Sequence, residues 1–339
     1  SGTAVTRRLP SFPMQQGVVA AGHELTATAA AAVLRNGGNA VDAAIAAISM
    51  ACLCEPVLCS PGSGMFAMVR DGSDRSVHLL DAFVQTPRRH AEHLADGEHV
   101  VHADFGTARQ AFRIGPATTA TPGLFDGLAA LRHRFGSRSM DALVTDAVRA
   151  ARAGITVTTF QHHLFTVVEP ILTATPGARE LFAPDGALLA TGATFRNPGL
   201  ADALELIARD GFRSSRVGDA VIGQQRGRGH VTAEDLDRYE VAWRSPLTLE
   251  HNGDRVHLNP FPAAGGMLVG HSLRQLATGS EVELAAALAT TVRARRDAGS
   301  ELASLLDEPI RHRGTTHVSV VDATGTACSI TASNGEGNG

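Results

Sequence analysis

Apolar residues recur at helical spacing in the first part of the chain. Residues 25–35 carry Ala on several faces and end before two glycines, a pair typical of the C-terminal end of a helix. A second apolar run, 39–54, opens with Asn39 and has Asp42 three positions later, which predicts a capped helix N-terminus. Because small apolar residues on all sides permit close packing, we expect this pair of helices at the centre of the fold.

Later segments repeat the helical pattern with their own start and stop signals. Glycine ends three of them, and Ser139 precedes one as an N-cap residue. The helices predicted in this way cover 122–136, 139–154, 197–211 and a stretch that begins near residue 282, and a short capped turn is predicted at Thr232.

Alternating apolar and polar positions predict three hairpins and a short strand before the first helix. The hairpins turn at Asp71-Gly72, at Asn252-Gly253 and near Thr324-Gly325. Residues 88–120 show no such pattern and are predicted to be irregular, and GQQRGRG over 223–229 is predicted to be a loop. Helices and hairpins in mixed order favour the α+β class over alternating βαβ units.

Length and charge narrow the range of partners. The 339 residues are 44% hydrophobic, enough to bury a large core in one or two domains. A net charge of −4 with one Tyr and one Trp gives no basic or stacking surface, so no nucleic-acid partner is expected. No apolar run reaches the length of a membrane span, and no signal peptide is visible. We therefore expect a cytoplasmic protein without a membrane partner.

Composition also removes several kinds of chemistry. All 30 basic residues are Arg, so the chain has no Lys for a Schiff base or a phosphate-binding P-loop. The 15 His are dispersed without the spacing of a metal site, and we expect neither a metal nor a cofactor. Three of the four Cys crowd into one apolar segment, which predicts buried free thiols in a reducing compartment. The cysteines are Cys52, Cys54, Cys59 and Cys328.

Two threonines, Thr315 and Thr316, stand where a basic, glycine-containing stretch meets a strand pattern. Threonine is common in strands, and strand structure alone is one interpretation of the pair. A second interpretation is chemical, because an N-terminal threonine can use its own α-amine as the base that activates its hydroxyl. That chemistry requires the chain to cut itself after Gly314, a small residue at the end of the basic stretch.

The segment that begins at Thr315, TTHVSVVD, resembles the maturation site of the gamma-glutamyltranspeptidase family of N-terminal nucleophile hydrolases. Five further segments resemble family motifs in the family's order and spacing, so the resemblance covers nearly the whole chain. They are NGGNAVDAAIAA (36–47), CEPVLCSPGSGMF (54–66), TATPGLFDGLAAL (119–131), TAEDLDRYEVAWRSPL (232–247) and NPFPAAGGMLVG (259–270).

This resemblance implies a four-layer αββα sandwich, incomplete in this chain, and self-cleavage between Gly314 and Thr315. Thr315 is then the nucleophile, and its exposed α-amine is the base. Ser333 falls where family members have a hydroxyl that contacts this amine. The family's Asn, normally two residues beyond that hydroxyl, corresponds to Asn334, one position early.

Departures from the family pattern concern the substrate. The Arg with which the family binds the substrate's α-carboxylate aligns with Phe83, and a phenyl ring cannot replace a bidentate guanidinium contact. The glycine-rich run is altered to SPGSG over residues 60–64. Ser63 and Gly64 of this run, together with Phe83, are the expected substrate-binding residues. Whether Arg88, Arg89 or another Arg takes over the carboxylate contact stays open.

Three functions remain open on this resemblance. The first is a divergent, actinobacterial-type hydrolase of secondary metabolism that cleaves an amide or C–C bond in an amino-acid-derived precursor. The second is a true gamma-glutamyl hydrolase or transferase that acts on glutathione-like substrates. The third is a homologue that neither matures nor catalyses. An intact self-cleavage motif argues against the third, because a non-catalytic protein has no need of it.

Family organisation implies a division of the chain at the maturation site. Residues 1–314 correspond to the large-subunit region, with a linker over 295–314, and residues 315–339 to the start of the small-subunit region. The remainder of the small subunit is expected on a second polypeptide, in a heterodimer or a dimer of heterodimers. A small, amino-acid-derived molecule is the expected substrate.

Overall fold

The computed structural model describes residues 17–90, 94–106, 108–261, 263–276, 279–297 and 314–335. Within them, α-helices and antiparallel strands occur in mixed order, so the predicted α+β class is confirmed. No helix in this part of the chain has both the length and the apolar character needed to cross a membrane.

Every helix expected from the sequence is present, and five more occur where no pattern predicted them. The twelve α-helices of the described residues are α1 Glu24–Arg35, α2 Ala40–Cys54, α3 Leu124–Phe135, α4 Met140–Ala153, α5 Thr159–Val167, α6 Glu169–Leu172, α7 Pro176–Phe182, α8 Pro198–Asp210, α9 Arg216–Gln225, α10 Ala233–Asp237, α11 Ala264–Leu273 and α12 Glu281–Asp297. The additional helices are α5, α6, α7, α9 and α11. The predicted linker over 295–314 overlaps the end of α12, which continues to Asp297. Residues 298–313 of that linker fall outside the described residues.

Strands account for the three predicted hairpins and for several pairings between distant parts of the chain. They are β1 Gly17–Ala21, β2 Gly64–Arg70, β3 Val77–Ala82, β4 His99–Asp104, β5 Arg109–Ile114, β6 Ile155–Thr156, β7 Thr194–Phe195, β8 Ala242–Arg244, β9 Leu247–His251, β10 Asp254–Leu258, β11 Thr316–Asp322 and β12 Ala327–Ser333. Six of them form one antiparallel sheet in the order β1-β11-β12-β2-β3-β8. The C-terminal hairpin is thus inserted between strands from the start of the chain.

Helix α2 lies at the centre of the fold, as its composition predicted. All 15 of its residues are buried, and it packs against β11 and β12. Asn39 and Asp42 form the expected capping box at its N-terminus. The first free N–H of the helix, at Ala40, donates to the carboxylate of Asp322 at 3.0 Å, which ties the helix to the end of β11.

Two local predictions were wrong. Residues 88–120 are not irregular, since β4 and β5 pair as an antiparallel hairpin with Phe112 buried beneath them. The segments HVVHAD and RQAFRI have only short apolar stretches, which do not predict strands by themselves. The tertiary packing of Phe112 therefore stabilises the hairpin. The loop predicted over 223–229 begins only at Arg226, because residues 223–225 form the last turn of α9.

All four cysteines are buried and free. The Sγ atoms of Cys52 and Cys59 lie 3.8 Å apart, a thiol hydrogen bond and not a disulfide. Burial raises the pKa of the Cys328 thiol to about 12, so this group stays protonated and unreactive near neutral pH.

Tyr239, the chain's one tyrosine, fixes the segment that follows β3. Its side chain is buried, and its hydroxyl donates to the carbonyl of Phe83 at 2.9 Å. The backbone carbonyl of Tyr239 in turn accepts from Arg213, whose guanidinium also binds the carboxylate of Asp126. Burial, with smaller effects from nearby carboxylates, raises the pKa of Tyr239 above its usual value.

We therefore expect Tyr239 to ionise only when the protein unfolds. Since the native pKa is the higher one, the stability that the neutral hydroxyl contributes is present below about pH 10 and lost above it. An alkaline titration should show tyrosinate absorbance rising together with loss of the circular dichroism of the folded state. Tyr239→Phe supplies the baseline, and a tyrosinate transition near pH 10 in a protein that is still folded would contradict the expectation.

Candidate active site

The predicted self-cleavage point lies at one end of the six-stranded sheet. Gly314 is half-buried and Thr315 exposed, directly before β11. Within the ladder, Thr316 pairs with Ala332 and Ser333 pairs with Gly64, so the register brings Thr315, Ser333 and Gly64 to the same end of neighbouring strands. Residues that the sequence singled out separately are therefore close together.

Ser333 makes the contact most relevant to chemistry. Its hydroxyl donates to the carbonyl oxygen of Gly314 at 3.1 Å. That carbonyl belongs to the Gly314–Thr315 peptide bond, and a donor on its oxygen polarises the bond toward nucleophilic attack. The Ser333 Oγ also accepts from the N–H of Gly335 at 2.9 Å, which fixes the direction of the hydroxyl proton.

Gly314 itself lies against Leu58, which leaves little room at this position. A Cβ on residue 314 would collide with the end of the Leu58 side chain. The small residue expected before a self-cleaved threonine is therefore also a packing requirement in this fold.

Asn334 supports the turn that precedes β2. Its Oδ1 accepts from the hydroxyls of Ser60, at 2.8 Å, and Ser63, at 2.5 Å, and its Nδ2 donates to the carbonyl of Pro56 at 3.1 Å. Its backbone N–H donates to the carbonyl of Leu58. In the uncut chain the Asn334 carboxamide thus holds the neighbouring turn, and a catalytic role of Asn334 stays a prediction.

The expected substrate-binding residues occupy different environments. Ser63 is fully buried, and Gly64 continues into β2 beside Ser333, so as substrate contacts both stay predictions. Phe83 is 41% exposed and stacks on Phe66, with ring centroids 5.4 Å apart and 15° between the ring planes. An aromatic pair therefore occupies the position that the resemblance aligns with the family's Arg.

A cavity of about 450 Å³ opens beside these residues. Ser333, Asn334 and Phe83 are among its lining residues. Most of its wall is apolar, with contributions from Val84, Ala120, Pro122, Val221 and Val231. Arg113 on β5 is the one charged residue among its described lining residues, and its guanidinium pairs with Glu98. Arg89 pairs at 3.9 Å with Glu234 and does not line the cavity, nor does Arg88.

Behind the cleavage point, Thr316 is buried with its hydroxyl on a carboxylate. It donates to Glu55 at 2.7 Å, and Thr26 donates to the other oxygen of the same group at 3.1 Å. Thr316 is therefore part of the support beneath the site, which agrees with the structural interpretation of the second threonine.

His317 points to the opposite side of β11, where a group of hydroxyls surrounds it. Its ring nitrogens lie within hydrogen-bond distance of Thr331, Ser319 and Ser329. Partial burial lowers the pKa of His317, so the ring is neutral at physiological pH.

Sequence reasoning missed Glu55 and Arg113 as residues of the site. Glu55 falls inside the quoted segment CEPVLCSPGSGMF, where a buried carboxylate next to Pro56 was an available signal. No sequence signal pointed to Arg113, because it lies in the segment 88–120 that was predicted to be irregular. No group of His, Cys, Asp or Glu within the described residues has the arrangement of a metal site.

Comparison with known proteins decides the family. A model of the gamma-glutamyltranspeptidase family matches residues 26–281, well over half of the chain. The chain belongs to the gamma-glutamyltranspeptidase family. This result agrees with the resemblance carried by TTHVSVVD, a segment that lies outside the matched range.

Gamma-glutamyltranspeptidase relatives differ in the activities for which they are named. The glutathione hydrolase proenzyme of Bacillus subtilis is 27% identical over 267 residues, which are 77% of this chain and 44% of that protein. The acylase ACY 1 proenzyme of a Pseudomonas species is 25% identical over 269 residues, 77% of this chain and 48% of that protein. The chain thus spans less than half the length of these relatives.

The gamma-glutamyltranspeptidase fold is also found by structural similarity. The crystal structure of a cephalosporin acylase from Bacillus halodurans superposes with a TM-score of 0.75 at 22% identity, over 100% of this chain and 70% of that one. At this identity the likeness establishes the fold, an N-terminal nucleophile hydrolase sandwich. In the described residues its main sheet is the six-stranded one, against which α2 packs at β11 and β12.

Removing the Asn334 side chain should destabilise the protein. Asn334→Ala leaves the hydroxyls of Ser60 and Ser63 and the carbonyl of Pro56 without their partner, and an unsatisfied buried polar group costs about 1–3 kcal/mol. We expect the free energy of unfolding in urea to fall by roughly 2 kcal/mol. Asn36→Ala, at an exposed position, is the matched control, and equal effects of the two substitutions would contradict the role given to Asn334.

Proposed function

We propose that the chain forms part of an autoprocessing N-terminal-threonine hydrolase whose substrate is an amino-acid-derived molecule other than glutathione. The observation that carries the proposal is the hydrogen bond from Ser333 Oγ to the carbonyl oxygen of Gly314. It puts a hydroxyl donor on the one peptide bond that must break, directly before an exposed threonine.

Self-cleavage then proceeds through an ester. The Oγ of Thr315 attacks the carbonyl carbon of Gly314, the hydroxyl proton is lost, and the Thr315 nitrogen leaves with a proton as a free α-amine. Water hydrolyses the ester between Gly314 and Thr315, which releases the Gly314 carboxylate and restores the threonine hydroxyl. The Ser333 hydroxyl stabilises the negative charge that develops on the carbonyl oxygen during attack.

After cleavage the same threonine acts on substrate. Its α-amine accepts the hydroxyl proton while Oγ attacks the substrate's carbonyl carbon, and the leaving group departs with a proton. Water then hydrolyses the acyl ester on Thr315. Cleavage also removes the peptide bond to which Ser333 donates, so its hydroxyl becomes available to the new amine, as the family resemblance implies.

The cavity supports a substrate other than glutathione. Gamma-glutamyl groups carry an amine and a carboxylate on the same carbon, and this pocket has apolar walls and an aromatic pair at Phe66 and Phe83. The family position that would supply a guanidinium is Phe83, while Arg113 supplies one from a different element. We infer that the substrate has an apolar body and one carboxylate that contacts Arg113, as in a precursor of secondary metabolism.

Gamma-glutamyl hydrolysis or transfer is the second candidate, favoured by the relatives named glutathione hydrolases. A homologue that neither matures nor catalyses is the third, and the contact between Ser333 and Gly314 speaks against it. We propose that the active form pairs a large subunit with a small subunit, as a heterodimer or a dimer of heterodimers. The rest of the small subunit would be contributed by further polypeptide.

Substitution of Thr315 tests the proposed function directly. In the full-length protein we expect Thr315→Ala to abolish cleavage and activity together, because no hydroxyl remains to attack Gly314. Thr315→Ser should still cleave, more slowly, since its hydroxyl keeps the nucleophile. Intact mass and N-terminal sequencing give the readout, with Thr316→Ser as the matched control at the neighbouring position. A wild-type chain that stays uncut between Gly314 and Thr315 would overturn the proposal.

Substitution of Arg113 tests substrate recognition. Two chromogenic probes with the same leaving group, glutaryl-p-nitroanilide and butyryl-p-nitroanilide, differ by one carboxylate. We expect Arg113→Gln to raise the KM for the glutaryl probe roughly fivefold to tenfold, the range of a solvent-exposed charge-assisted hydrogen bond, and to leave the butyryl probe unchanged. Arg109→Gln, on the same strand but outside the cavity lining, is the control.

The wild-type protein separates the two enzymatic candidates in the same assay. Faster turnover of gamma-glutamyl-p-nitroanilide than of the glutaryl probe would favour the gamma-glutamyl function. If Arg113→Gln alters both acyl probes equally, Arg113 has no role as a carboxylate contact.

A further inference from the structure

Glu55 is a buried carboxylate for which the cleavage chemistry described above has no use. It is 9% exposed and lies at the C-terminal end of α2. Its two oxygens accept from the hydroxyls of Thr26 and Thr316, both of which are buried. Gly22 packs directly on it, since a Cβ there would approach Oε2 to 2.5 Å. The carboxylate is therefore enclosed by α1, β11 and the turn before α1.

Hydroxyl donors are a weak environment for a buried charge. In the part of the chain that the structure describes, no salt bridge involves Glu55. Glu55 interacts electrostatically with the thiols of Cys52 and Cys54, and burial followed by the Glu55 charge raises the pKa of Cys54 to about 12. Buried carboxylates are usually paired with a cation, so a positive charge is expected nearby at some stage.

Cleavage would create such a cation one residue away. The new α-amine of Thr315 is joined through a single residue unit to Thr316, whose hydroxyl binds Glu55 at 2.7 Å. Consecutive Cα atoms lie about 3.8 Å apart, so the amine would form within roughly 10 Å of the carboxylate, a span over which partly buried charges interact with little screening. Before cleavage the same atom is an uncharged amide nitrogen.

We propose that Glu55 is a positioning residue for Thr315, which aligns the scissile bond through Thr316 before cleavage and acts as the counter-charge of the new α-ammonium afterwards. This inference rests on the proposed function. It also explains why residue 316 is threonine and not valine. Valine would fit the buried strand position equally well, but it has no hydroxyl to donate to the Glu55 carboxylate.

The dependence of activity on pH distinguishes the effect of the Glu55 charge from the effect of its hydrogen bonds to Thr26 and Thr316. A free α-amine has a pKa of about 7.7–8.0, and a neighbouring carboxylate favours the protonated form and so raises that pKa. The base form of Thr315 is the active one, and activity should therefore rise at a higher pH than for an isolated amine. Two histidines also lie near the Glu55 carboxylate and the start of β11. His23 follows Gly22, which packs on Glu55, and His317 lies on the opposite face of β11 from Thr316.

The decisive comparison is between Glu55→Gln and Thr316→Val in the full-length protein. Glu55→Gln keeps the shape but removes the charge, and we expect the midpoint of the rising limb of kcat/KM to move down by about half a unit to one unit. Thr316→Val keeps the charge but removes the tether, and we expect cleavage to slow roughly tenfold with little change of the midpoint. Thr316→Ser should restore the cleavage rate.

Each outcome bears on the proposal. An unchanged midpoint in folded, cleaved Glu55→Gln would overturn the counter-charge role, and normal cleavage in Thr316→Val would overturn the alignment role. If Glu55→Gln does not fold, the Thr316→Val and Thr316→Ser pair decides, because loss and rescue of cleavage support the tether. An uncut wild-type protein would instead count against the proposed function, whatever Glu55 does.

Discussion

The attachment of α2 to β11 at both ends is the constraint on which the rest of the structure depends. Asp322 at the end of the strand binds the first N–H of the helix, and Glu55 at the end of the helix binds Thr316 at the start of the strand. A helix of 15 residues is about 22 Å long and a strand of 7 residues about 23 Å, so the two elements match in length. The position of Gly314 and Thr315 follows, because they directly precede the strand whose start is held in this way.

The turn between α2 and β2 extends this control to the other residues of the site. Glu55 begins the turn, Leu58 packs against Gly314, and Ser63 ends it with its hydroxyl on Asn334. One short segment thus contacts both sides of the predicted cleavage point. A turn fixed by several hydrogen bonds suits a self-cleaving protein, because the reacting peptide bond must be oriented before any ligand is present.

Local signals predicted much of this fold, and their failures have a physical cause. The capping pair at Asn39 and Asp42, and the alternation around Thr324-Gly325, are local features, and both elements were confirmed. The β4–β5 hairpin depends on the burial of Phe112 by residues distant in sequence, which no local pattern records. The same limit applies to the candidate site: the family resemblance predicted roles for Thr315 and Ser333, whereas the approach of Glu55 to Thr316 and of Arg113 to the cavity depends on tertiary structure alone.

The order of strands in the main sheet has a consequence for biosynthesis. Among the strands of the described residues β1 pairs with β11, and the bond between Ala40 and Asp322 spans 282 residues. A nascent chain therefore carries the largely apolar α2 and the open edges of β1 and β2 while the residues up to the β11–β12 hairpin, which separates those strands, are still being synthesised. Contacts of such high sequence separation fold slowly and expose apolar surface meanwhile. Cellular yield of this protein should thus depend on chaperone capacity during synthesis more than on the stability of the finished fold.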